Sequence, residues 1–172
     1  MDINDKLKTL SIKEKAQLTV GEGMWTFLKN EEHGLKGIFV RDGPHGLRAY
    51  KKHVDIHNTF EDDNLEKTTL FPNAPAMAST WNKELIHEVG KTIGKECNMF
   101  GIDILLAPGV NQKRSPLGGR NFEYYSEDPF LSGRIGAAFI NGVQSTGVGA
   151  CVKHFAFNEQ ERRSSKGQIK KC

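Results

Sequence analysis

The sequence predicts a parallel α/β fold. Long helical patterns alternate with short, continuous apolar runs of strand type, and each run ends in a breaker. Polar and glycine-rich residues gather directly behind the runs, at Asp42-Gly43, Pro108-Gly109 and Lys153-His154. Parallel strands need crossover connections, usually helices, and sites in such folds form at the carboxyl ends of the strands. At most four such strands fit in 172 residues. A closed barrel needs eight strands and about 250 residues, so the chain reads as unfinished.

The elements follow in order. Ser11-Ile-Lys-Glu14 has the form of a capping box, Ser11 as N-cap and Glu14 at N3, and opens a short helix through Leu18. Gly34–Val40 reads as a turn into a short strand that Asp42-Gly43-Pro44 stops. Residues 48–68 are polar and aperiodic and read as an exposed loop; Leu70–Ala78, with two prolines, reads as a strand and turn crossing the core. From Asn82, an N-cap, to Phe100 the apolar positions Leu85, Ile86, Val89, Ile93 and Cys97 keep helical spacing. Ile102–Gly109 reads as a buried strand ended by Pro108-Gly109. Asp128-Pro129 starts a helix to about Ser145, with proline at its favoured first position. Ala150-Cys151-Val152 is the next strand, leading into Lys153-His154.

Composition excludes several classes of protein. Hydrophobic residues make up 37% and charged residues 26%, ordinary for a soluble domain. No run approaches the roughly 18 apolar residues of a membrane span, and the charged N-terminus lacks a secretory apolar region, so a cytoplasmic protein is expected. Residues 162–172 hold Arg162, Arg163, Lys166, Lys170 and Lys171 and no acid. Removing those five charges from the formal +3 leaves −2 for residues 1–161, so the basic balance belongs to a solvated, disordered tail. A nucleic-acid partner would need a patterned basic patch, and none is visible. Cys97, Cys151 and Cys172 fit neither a disulfide framework nor paired metal ligands.

Four clusters carry chemistry: Arg41–Arg48, Leu106–Asn111, Ser115–Pro129 and Lys153–Glu161. In this order, with Leu10–Lys15 and Gly23-Met24-Trp25 ahead of them, they resemble the family 3 glycoside hydrolases of the β-glucosidase type, from about Leu10 to Glu161. The third cluster, with Gly119-Arg120-Asn121-Phe122-Glu123, is the most specific. The resemblance implies a TIM (β/α)8 barrel of which residues 1–161 form only the N-terminal part. It also implies hydrolysis of β-glucosides or related sugars with retention, without metal or organic cofactor. By the same resemblance Asp42, Arg120, Lys153 and His154 line the subsite for the non-reducing sugar.

The residue chemistry agrees with those roles. An ionised carboxylate accepts from vicinal hydroxyls, and Arg and Lys donate charge-assisted bonds to others. Taken singly, Asp42 before Gly43-Pro44 would be a turn former, Lys153-His154 a surface pair and Arg120 uninformative. Glu123, Glu127 and Asp128 read as structural, Asp128 as an N-cap and Glu123 as the partner of a neighbouring arginine. His33, His45, His53, His57 and His87 show no metal-ligand spacing. Trp25 and Trp81 read as core residues rather than sugar-stacking platforms.

No catalytic residue is assigned. Retaining glycosidases need two carboxylates about 5–5.5 Å apart. The resemblance places the nucleophile in a Ser-Asp-Trp-type segment on a later strand and the acid/base in a following domain, and neither segment occurs here. After Glu161 the family's apolar continuation is replaced by Ser-Ser-Lys-Gly-Gln-Ile-Lys-Lys-Cys, which reads as a truncation or frameshift. The expectation is a β-glucosidase-lineage fragment inactive alone. The alternatives are one part of a split enzyme completed by a second chain, and a non-catalytic sugar-binding protein.

Overall fold

The computed structural model describes residues 3–21, 23–50 and 65–159. The basic tail expected over 162–172, and residues 51–64 of the expected 48–68 loop, lie outside the described residues, as does Cys172. Two short helices come first, α1 (Ile3–Thr9) and α2 (Ile12–Gln17). A hairpin follows, β1 (Thr26–Asn30) and β2 (Leu35–Asp42). Then come α3 (Ala74–Ala78), α4 (Lys83–Met99), β3 (Ile104–Leu106), α5 (Pro129–Gln144) and β4 (Gly149–Ala150).

The sheet order is β1-β2-β3-β4. β1 runs antiparallel to β2 around a turn in which Gly34 adopts φ 70, a left-handed conformation glycine enters without a Cβ clash. β2, β3 and β4 are parallel, with Val40 opposite Ile104 and Ile104 opposite Gly149. The connections β2–α4–β3 and β3–α5–β4 are the expected crossovers. The sheet is open, and no helix among the described residues is long and apolar enough to cross a membrane.

The predicted caps are present. Ser11 accepts from Glu14 N–H while the Glu14 carboxylate accepts from Ser11 N–H at 2.7 Å. Asn82 and Asp128 accept the first free N–H groups of α4 and α5. The apolar stripe of α4 buries Ile86, Ile93 and Cys97 completely, with Val89 beside them, whereas Leu85 stays half-exposed. Burial pushes the Cys97 thiol up to about 12, so it packs as an inert apolar group.

Two expectations are corrected. Leu70–Ala78 is not a strand: Asn73 caps a helical turn by accepting from Ala76 N–H at 3.1 Å, and Pro75 sits in the first turn, where proline lacks no needed donor. Trp81 is not core, being 72% exposed in the turn between α3 and α4. The hairpin strand β1 carries no clear alternation in sequence and appears only through its pairing with β2.

α4 and α5 touch backbone to backbone. A Cβ on Gly142 would lie 2.1 Å from the His87 carbonyl oxygen, and one on Gly90 2.4 Å from that of Phe139. Gly142→Ala is therefore expected to cost about 1–3 kcal/mol through overpacking. Gly133→Ala, where the added methyl meets nothing within 4 Å, should stabilise by about 0.5–1 kcal/mol. Urea midpoints of the two variants, moving in opposite directions, check this.

The Ser11 hydroxyl and N–H, then His33, hold the Glu14 carboxyl down at about 2 from its ordinary 4.5. A carboxyl depressed on folding contributes stability that is full above pH 4.5 and is lost as pH falls toward 2. The thermal midpoint of the wild-type chain should fall more steeply across that window than that of Glu14→Gln.

Candidate functional site

The site forms where β2, β3 and β4 end. Asp42 is the last residue of β2. Behind β3 the backbone runs through Ala107-Pro108-Gly109 and stays paired with the segment behind β4: Lys153 N–H donates to Pro108 O at 2.9 Å and Val110 N–H to Lys153 O at 2.8 Å. A third segment joins them, since Gly109 also bridges to Tyr124. Gly109 is needed there, because a Cβ would lie 2.9 Å from the Glu123 carbonyl and 3.1 Å from the Tyr124 ring.

The four residues expected to line a sugar subsite meet in one polar network. Lys153 Nζ lies 3.2 Å from Asp42 Oδ1 and 3.7 Å from Glu123 Oε2. Arg120 Nε donates to Glu123 Oε1, and Arg120 Nη2 lies 2.6 Å from His154 Nε2. A guanidinium only donates, so Nε2 must accept. His154 is thus the neutral tautomer with its proton on Nδ1, which faces the Tyr124 hydroxyl at 3.0 Å. Asn158 Nδ2 donates to the same hydroxyl at 3.0 Å. Asn111 holds the His154 backbone on both sides, accepting from its N–H at 2.6 Å and donating to its C=O at 3.3 Å.

Glu123 is the centre of the network. It is 4% exposed, and its two oxygens face Arg120 and Lys153. The arginine partnership matches the expectation from sequence; the second cation, delivered from a segment 30 positions on, was not visible there. Asp42 is the more open carboxylate, its side chain 46% exposed against 15% for Lys153. Asp42 pairs with Lys153 through Oδ1 and is open enough to accept further bonds, while Lys153 and Arg120 are held as donors. Sequence reasoning missed Tyr124, Asn111 and Asn158 as members. Glu123 and Tyr124 lie in the Arg120-Asn121-Phe122-Glu123-Tyr124 run itself, so that run was the available signal.

His45 packs edge-on to Phe122 at 6.4 Å, and its Nε2 is buried without a hydrogen-bond partner among the described residues. Burial lowers its pKa from 6.5, against the pull of Glu123 and with the push of Lys153. Beside the site Arg41, 3% exposed, holds its guanidinium 5.1 Å from the Trp25 ring and 5.6 Å from that of Tyr50. Trp25 therefore serves as a cation–π platform for a buried arginine.

Away from the site, Glu14, Glu32 and His33 bring ligand-type atoms within 4.8 Å of one another. The Glu14 carboxylate there is already taken by the Ser11 N–H, the Ser11 hydroxyl and His33 Nε2 at 2.9 Å. That grouping ties α2 to the turn of the hairpin.

Comparison with known proteins agrees with this geometry. Residues 53–168 match the model of the glycosyl hydrolase family 3 N-terminal domain. The chain belongs to glycosyl hydrolase family 3. It is 47% identical to thermostable β-glucosidase B of Acetivibrio thermocellus over 163 residues, covering 95% of this chain and 21% of that protein. It is 46% identical to an exo-α-(1→6)-L-arabinopyranosidase of Bifidobacterium breve, covering 90% of this chain and 20% of the relative. Among solved structures it resembles β-glucosidase 3B from Thermotoga neapolitana in complex with α-D-glucose. There the TM-score is 0.81 and the identity 44%, over 92% of this chain and 23% of that one. β-Glucosidase from Kluyveromyces marxianus in complex with glucose gives 0.83 and 34%, over 94% and 18%. The family 3 chain thus spans about a fifth of the length of these relatives. Its open sheet with crossover helices is part of the N-terminal TIM-barrel-like domain.

Glu123→Gln removes the charge that holds two cations in place. Charge-assisted bonds to a buried group contribute about 1.5–3 kcal/mol, and the partly exposed Arg120 recovers some of its share in water. A loss of about 2 kcal/mol in denaturant stability is expected, with Glu127→Gln, on an exposed neighbour, within about 0.5 kcal/mol of wild type.

Proposed function

We propose that this chain is the glycone-binding part of a β-glucosidase-like glycoside hydrolase, with Asp42, Arg120, Lys153 and His154 facing the non-reducing sugar. The observation that carries the reading is the continuous chain of contacts Asp42–Lys153–Glu123–Arg120–His154 at the carboxyl ends of three parallel strands. A pyranose presents adjacent hydroxyls that both donate and accept, and the network offers an exposed acceptor, Asp42, beside the donors Lys153 and Arg120. Buried or half-buried polar groups of this kind discriminate strongly, because a missing hydroxyl leaves one of them unpaired. Solved relatives carry glucose, which supports the class of ligand.

The reading assigns binding and orientation to these residues and no bond cleavage. The sequence contains no Ser-Asp-Trp segment, and the carboxylates near the site carry ion pairs: Glu123 with two cations, Asp42 through Oδ1 with Lys153. Nucleophile and acid/base therefore come from elsewhere in a complete enzyme, either further along a longer chain or on a second one.

Titration calorimetry with glucose tests the binding role. Weak, saturable binding is expected, reduced at least tenfold by Asp42→Ala and by Lys153→Met, while the far-ultraviolet spectrum stays unchanged. No release of nitrophenol from a nitrophenyl β-glucoside is expected from the purified 172-residue chain. Binding indifferent to both substitutions would falsify the assignment.

A further inference from the structure

Two adjacent tyrosines follow the Arg120–Glu123 run, and the fold uses them differently. Both are almost fully buried, Tyr124 at 1% exposed and Tyr125 at 3%. Tyr125 packs into the hydrophobic core, whereas Tyr124 lies outside it and carries its hydroxyl into the polar network. The Tyr124 ring is held from several sides. Gly109 bridges to its backbone, and the ring fills the space beside Gly109, 3.1 Å from where a Cβ would stand. It also meets the His154 imidazole edge-on, with centroids 5.9 Å apart and planes at 78°.

A hydroxyl held in this way decides which histidine nitrogen keeps the proton. Asn158 Nδ2 donates to one lone pair of the Tyr124 oxygen, and His154 Nδ1–H donates to the other, both at 3.0 Å. Nε2 then carries no proton and accepts from Arg120 Nη2. Arg120 Nε is anchored separately, on Glu123. Two anchors on different nitrogens fix the plane of a guanidinium, but the second exists only while Nε2 is bare. With the proton on Nε2, donor would face donor and that anchor would be lost.

We propose that Tyr124 is a positioning residue of the sugar site: its hydroxyl holds His154 in the Nδ1–H form, and through His154 it orients the Arg120 guanidinium. The inference rests on the sugar-site reading above and adds to it a residue too deeply buried to touch the sugar itself.

Nitrogen-15 NMR of the histidine side chains in the 172-residue chain reads the tautomer directly. His154, one of six histidines, is assigned by its absence from the spectrum of His154→Gln. A protonated Nδ1 and a bare Nε2 are expected in the wild-type chain. In Tyr124→Phe the two neutral tautomers should mix, the Arg120 Nε–H resonance should shift, and glucose affinity by calorimetry should fall about fivefold, the size of one lost hydrogen bond. Tyr125→Phe, which alters the core alone, should leave the His154 signals and glucose affinity as in wild type. In the His154→Gln background, adding Tyr124→Phe should change affinity by less than about twofold, because the path through the imidazole is already gone. A wild-type His154 protonated on Nε2, an unchanged tautomer in Tyr124→Phe, or losses that add in full would overturn the proposal. The expected tautomers and Arg120 shift in a chain that binds no glucose would sustain the positioning of Arg120 and overturn the sugar-site reading.

Discussion

The two crossover helices of the three parallel strands approach each other as closely as backbones allow at Gly90 and Gly142. Gly90 and Gly94 of α4 and Gly142 of α5 bring the helix backbones into contact, with no room for a methyl group at any of the three. That closeness sets how α4 and α5 sit against the sheet, and hence how β3 and β4 align. It reaches the site as well. Gly136, one and a half turns earlier on α5, lets Val110 pack within 2.9 Å of where its Cβ would be, which seats the segment behind β3. From there the bonds between Pro108, Val110 and Lys153 place the lysine over Asp42.

Within the site, Glu123 solves a local electrostatic problem. Two cations within reach of each other would repel in a place that water only partly screens. A buried carboxylate with one oxygen for each holds both in fixed positions. On the proposed reading both cations are already placed when a neutral ligand arrives, which lowers the side-chain entropy lost on binding.

How much could be read in advance depended on how local the cause was. Caps at Ser11, Asn82 and Asp128 are decided by three or four neighbouring residues, and they stand where the sequence places them. The long helices follow from periodicity in the same way. Leu70–Ala78 reads as a strand and turn from its two prolines, whereas Asn73 as N-cap places Pro75 in the first turn of a helix. Trp81 misled because bulk alone suggests burial, while its place in the turn between α3 and α4 leaves it in water. In the site, resemblance named the four residues and the sequence paired Glu123 with an arginine, but only the folded chain shows that Lys153 joins Glu123 and that Tyr124, Asn111 and Asn158 hold His154. Those ties span 30 to more than 40 positions, beyond any local pattern.

The neutral state of His154 has an electrostatic consequence for the whole cluster. With its ring accepting from Arg120, the histidine adds no charge, and the remaining groups cancel: Asp42 and Glu123 against Arg120 and Lys153. Among the described residues the network is a set of paired opposite charges rather than a field of one sign. Paired opposite charges exert a weaker long-range field than separated ones. On the proposed reading, such a patch would favour uncharged, hydroxyl-rich molecules at contact distance.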